Sequence, residues 1–152
     1  MEIEQYAYFA LKSAVVPAAE MAERLGMEPD EVSVRGSRIA EPPRPIRHAW
    51  KIVCRKPGLA VDEQIGQIMD RLRPCRERIV AFSAELRARD PDQAGAVLEV
   101  VRYFDHSGGE ALERPRDPAD RHRLLGWALD HEVLEFLVAT GAHLDVDEYG
   151  SP

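Results

Sequence analysis

Three stretches of the chain alternate apolar and polar side chains with a period of two, and this restricts the fold more than any other feature. In 5–13, QYAYFALKS, residues Ala7, Phe9 and Leu11 fall on one side and Tyr6, Tyr8, Ala10 and Lys12 on the other. In 47–56, RHAWKIVCRK, Trp50, Ile52 and Cys54 oppose Arg47, Lys51 and Arg55, with Ala49 and Val53 between these. In 143–149, HLDVDEY, Leu144 and Val146 oppose Asp145, Asp147 and Tyr149. Successive residues of a strand point to opposite faces of its sheet. Strands greasy on one side only belong to a sheet with one face packed and the other wet.

Helical patterns lie between these strands. In VVPAAEMAERLGMEPDEV, Pro17 suits a first helical turn and Met21, Ala22 and Leu25 form one stripe; Gly26 and Pro29 end that helix. Residues 27–45 contain Pro29, Gly36, Pro42, Pro43 and Pro45 and read as a long connection with a short strand at 31–34. Residues 61–73 place Val61, Ile65, Ile68, Met69 and Leu72 at helical spacing, and Pro74 breaks the run. A second helix over 75–88 carries Cys75, Ile79, Phe82 and Leu86. AVLEVVRYF at 96–104 is a β-branched strand, and 105–122, rich in Gly, Pro and charge, is a loop. RLLGWAL at 123–129 reads as a further strand. Asp130 caps a helix at 131–140 whose buried stripe is Val133, Phe136, Leu137 and Thr140, with Glu132 in its first turn and Gly141 at its end. The expected fold class is α+β: a two-layer sandwich, mostly antiparallel, with helices on one sheet face, ferredoxin-like in character. At 152 residues the chain suits one domain, 1–152.

The uncovered face of such a sheet collects Tyr6, Tyr8, Lys51, Arg55, Glu99, Tyr103, Asp145, Asp147 and Tyr149. Tyrosine joins apolar area to a polar tip and is enriched at interfaces, so this face is the candidate binding site. The plainer alternative is that the tyrosines serve strand formation alone. Stacking of RNA bases on such aromatics is disfavoured by the acidic residues beside them and by a formal net charge of −7. No nucleic-acid partner is expected.

Charge is unevenly spread. Residues 35–56 hold seven basic residues and one acidic, whereas 105–152 hold four basic and eleven acidic. The basic block, with Arg35, Arg38, Arg44, Arg47, Lys51, Arg55 and Lys56, either receives an acidic ligand or an acidic partner surface, or balances the chain's own acidic end. If the second and last long strands are neighbours, Lys51 and Arg55 pair across with Asp145 and Asp147.

Signals for catalysis are sparse. The chain has no nucleophile elbow, zinc-protease helix, phosphate loop or dinucleotide fingerprint, so neither catalytic residues nor a cofactor are assigned. Asp105, His106, Asp117, Asp120, His122, Asp130 and His131 crowd one region, but their residue types are those of turns, a helix cap and a solvated loop, and no metal site is assigned. Cys54 and Cys75 lack CxxC spacing and read as buried thiols. The acidic start lacks a signal peptide's basic front, and no apolar run is long enough for a membrane helix, so a cytoplasmic location without membrane association is expected.

The aromatic first strand YAYFALKS, the helix exit MAERLGMEPDE, the turn VRGSR, the strand HAWKI and the closing LVATGAHLDVDEY, in that order, resemble the bacterial domain-of-unknown-function family 4279 (DUF4279) over about residues 5–149. The resemblance implies a small bacterial α+β domain and no particular activity. Residues 105–122 match none of its motifs and are expected to be an insertion. The leading expectation is a non-catalytic protein- or ligand-binding module, of immunity or accessory type, whose partner is a protein with a basic surface. The alternative is a small enzyme or small-molecule-binding domain using a pocket near 105–122.

Overall fold

The computed structural model describes residues 2–37, 45–105 and 125–150. Its elements run β1 (Glu2–Ser13), α1 (Ala18–Leu25), β2 (Glu31–Ser33), β3 (His48–Cys54), α2 (Val61–Leu72), a 3-10 turn (Arg73–Cys75), α3 (Arg76–Arg89), β4 (Gly95–Asp105), α4 (His131–Thr140) and β5 (His143–Gly150). The strands form one sheet in the order β2-β3-β1-β4-β5. All neighbours are antiparallel except β4 and β5. The chain is therefore the α+β sandwich expected from its alternating strands.

β1 is the centre. It pairs with β3 from Ala7–Cys54 to Ser13–His48, and with β4 from Glu2–Asp105 to Lys12–Gly95. Its inward residues Ala7, Phe9 and Leu11 are sealed in one core with Trp50, Ile52, Leu98 and Val100 and with the stripes of α1 to α4. Phe9 meets Phe136 of α4 with ring centroids 5.0 Å apart. Trp50 is fully buried, and its indole N–H donates to the Met27 carbonyl at 3.0 Å, so the ring is fixed by both packing and a hydrogen bond. Tyr8, Ala10 and Val97 form a second, smaller cluster with Tyr6 and Val53 and no helix residue. The described helices thus cover one sheet face only.

Helix ends follow local chemistry. Gly26 and Gly141 both sit at φ near +65° and close α1 and α4 in the left-handed conformation that glycine adopts without strain. The Asp130 carboxylate accepts from the Val133 N–H at 3.0 Å, capping α4. Ala60 has no capping side chain, but Glu63 reaches back to accept its N–H at 2.9 Å. Pro74 sits in the 3-10 turn where α2 gives way to α3. The Ser83 hydroxyl of α3 donates to the Thr140 carbonyl at 2.6 Å, fastening α3 to the end of α4.

Three expectations are corrected. Residues 125–129 are not a strand: β4 already has β1 on one side and β5 on the other, which leaves no slot beside it. Trp127 and Leu129 instead pack on the core from irregular backbone leading to the Asp130 cap. The second and last long strands are not neighbours, since β1 and β4 separate β3 from β5. Leu144 and Val146 do not hold the core. They are 37% and 38% exposed, because β5 is the edge strand and the described helices leave its inner side partly uncovered. Residues 106–124, which include most of the expected 105–122 loop insertion and the pocket looked for there, lie outside the described residues, as do 38–44.

Candidate functional site

The helix-free face brings together every residue assigned to it from the alternation. β3 supplies Lys51, and Arg55 follows its last residue. β1 supplies Tyr6, Tyr8 and Lys12, β4 supplies Glu99 and Tyr103, and β5 supplies Asp145, Asp147 and Tyr149. The register sets the rows. Tyr8 lies between Val53 and Glu99, and Glu99 lies beside Asp145. Tyr6 neighbours Val101, which neighbours Asp147, and Tyr103 is opposite Tyr149.

The middle of the face is closed by its own side chains. Tyr8 is only 9% exposed although no helix covers it. Its hydroxyl donates to Glu99 Oε2 at 2.9 Å, and Lys51 Nζ sits 4.8 Å from its ring centroid. Burial and the neighbouring Glu99 charge push the Tyr8 phenol well above its ordinary range, so it remains a donor. Arg55 lies 3.9 Å from the Tyr6 ring centroid and makes two hydrogen bonds to Glu31, at 2.9 and 3.3 Å. Arg55 therefore pairs with β2, not with Asp147. A cavity of about 490 Å³ opens beside this cation, bordered by Glu4, Tyr6, Pro57 and Leu59.

The two ends of the face differ in charge. Toward β5, Tyr103 and Tyr149 stack with centroids 5.0 Å apart and are 43% and 50% exposed. The Asp147 charge raises the Tyr149 phenol. Glu99 is held above the usual carboxyl range by burial, against the Tyr8 hydrogen bond, and further by the neighbouring Asp147 and Asp145. Toward β3, Lys12 is pulled below the ordinary lysine range by burial; Glu99 opposes this, while Arg47 and Lys51 add to it.

Lys12 and Arg47 matter more to this face than the sequence indicated. Alternation places Lys12 on it, but only the pairing of Lys12 with Ala49 brings it between Arg47 and Lys51. Both cysteines are buried and free. Among the described residues no group of three or more His, Cys, Asp or Glu converges as metal ligands, and no helix is long and apolar enough to cross a membrane. Asp130 and His131, from the His/Asp-rich region, serve as a cap and as an exposed first residue of α4.

A family model described as "Domain of unknown function (DUF4279)" matches residues 2–151. Neither the curated proteins nor the solved structures give a significant match.

Proposed function

Starting from the fact that the chain belongs to the DUF4279 family, we propose that it is a non-catalytic binding module that docks a protein of basic surface on the β4–β5 end of its open face. The stacked, half-exposed Tyr103–Tyr149 pair carries this reading, because two adjacent aromatic rings left in water are a ready apolar anchor. Asp145 and Asp147, on the same face of β5 as Tyr149, set negative charge beside that anchor. A basic partner would be steered by those charges and held by the rings. Such a mode suits an immunity or accessory protein, which acts by covering another protein's surface.

β5 is also the edge strand, and its acidic residues discourage indiscriminate strand addition. A partner reading this edge must bring cations.

The test is a fluorescence titration of the protein with an arginine-rich peptide at low and high salt. Asp145→Lys and Tyr149→Ala should each weaken binding, and salt should weaken the wild type. Unaltered binding in both variants would sink the proposal.

A further inference from the structure

A small pocket at the opposite, basic end of the same face stands apart from the docking edge. It has a volume of about 150 Å³ and is lined by Tyr8 and Lys12 of β1, Ser33 of β2, Pro45, Ile46 and Arg47 of the segment entering β3, and Ala49 and Lys51 of β3. A cavity of about this volume can hold a benzene-sized molecule.

Its three cations, Lys12, Arg47 and Lys51, share one lining. Five arginines elsewhere find carboxylates, Arg24 with Glu85, Arg55 with Glu31, Arg71 with Asp30, Arg73 with Asp70 and Glu132, and Arg102 with Glu148, whereas Arg35, Arg76, Arg78, Arg87 and Arg89 make no ion pair with a described carboxylate. Lys12, Arg47 and Lys51 have no ion pair with any described carboxylate. Glu99 and Asp145 act on Lys12 only through space. The Arg47 Nε is buried with no hydrogen-bond partner, while its Nη1 makes a long 3.4 Å contact to the Gln93 carbonyl. The Ser33 hydroxyl, also on the lining, makes no hydrogen bond among the described residues. A protein with a net charge of −7 has carboxylates to spare, yet three cations, one of them with an unmet guanidinium donor, converge on one small space.

We propose that this pocket binds a phosphate group, with Arg47 as the directional donor and Lys12 and Lys51 as the flanking charges. A guanidinium edge matches two oxygens of an oxyanion. Three unpaired cations suit a dianion better than the single charge of a carboxylate. The phosphate's oxygens would also accept from Ser33 and from the buried Arg47 Nε–H.

Isothermal titration with inorganic phosphate at constant ionic strength tests this, with acetate as the singly charged comparison. One saturable site is expected, with acetate weaker. Arg47→Met should weaken phosphate by about tenfold or more, and Arg47→Lys should recover part of that loss because it restores charge without the fork. Lys51→Met, at a half-buried position, gives a second loss if Lys12→Met fails to fold. Arg89→Met, on the exposed side of α3, should change nothing. Glycerol phosphate and a phosphoserine peptide separate the sources: equal affinity points to a free ester, and a tighter peptide to a modified partner. The absence of saturable phosphate binding, or an Arg89→Met loss equal to that of Arg47→Met, would overturn the proposal.

Discussion

The carboxyl pair at the centre of the face makes a quantitative prediction. Glu99 is 8% exposed, and burial together with the Asp147 and Asp145 carboxylates of β5 favours its protonated form. The Glu99 carboxyl in the folded chain therefore titrates above its ordinary value of 4.5. A folded state that keeps a proton longer than the unfolded chain loses stability as pH rises from the ordinary carboxyl range through the raised folded value. Glu99→Gln never ionises, so it escapes that loss. It also keeps an oxygen for the Tyr8 hydroxyl and offers an N–H to Asp147.

The magnitude follows from two opposing effects. Two carboxylates about 4 Å apart repel by about 1 kcal/mol in water and about 4 kcal/mol near a protein surface. Against this, the Tyr8 bond passes from a charged to a neutral acceptor, which costs about 1 kcal/mol. The loss of Glu99's attraction for Lys12 trims the gain further. Glu99→Gln should stabilise the fold by about 1 kcal/mol at pH 8, or about 2–4 °C in Tm for a chain of this size. Below the ordinary carboxyl range the gain should vanish. Urea unfolding followed by tryptophan fluorescence, read from Trp50 and Trp127 across pH 4 to 8, measures it, with an unchanged m-value showing that only stability moved. A gain equal at both ends of that range, or a loss that grows toward pH 8, would refute the raised Glu99 titration.

Other positions give simpler outcomes. Tyr8→Phe removes the donor to Glu99 and should cost about 1.5–3 kcal/mol at neutral pH in the same urea assay, with the Glu99 titration moving higher still. Gly141→Ala forces alanine into the left-handed region and drives its Cβ into the Arg87 guanidinium; a loss of about 1–2 kcal/mol is expected in thermal melts. Arg55→Ala should cost at most about 1 kcal/mol despite its two hydrogen bonds to Glu31, since both partners are substantially solvated.

What could be read from the sequence was whatever depends on period. Once Ala7, Phe9 and Leu11 are inward, Tyr6, Tyr8 and Lys12 must be outward, and the same logic fixes Lys51, Glu99 and Asp145. The caps at Gly26, Asp130 and Gly141 were equally legible, because each rests on one residue's local chemistry. Neighbour relations were not. Nothing in HAWKIVC or HLDVDEY says that two strands stand between them, so the cross-strand pairing of Lys51 and Arg55 with Asp145 and Asp147 was a guess about order. The run at 123–129 misled for a related reason: an apolar run looks the same whether it joins a sheet or only lays Trp127 and Leu129 on the core.

That misplaced pairing bears on function. Had β3 and β5 been adjacent, the basic and acidic strands would have neutralised each other and left a face with little to offer a charged ligand. Three strand spacings separate them instead, about 14 Å. That exceeds a Debye length of about 8 Å at physiological salt. Glu31 satisfies Arg55, and Tyr8 with Glu99 closes the middle, so each end keeps its own uncompensated charge. Lys12, between the two ends, still feels Glu99 and, less strongly, Asp145. The cationic pocket and the acidic tyrosine edge therefore lie at opposite ends of one face, joined electrically only through Lys12, and on the two proposals above phosphate and a basic partner would not compete for the same side chains.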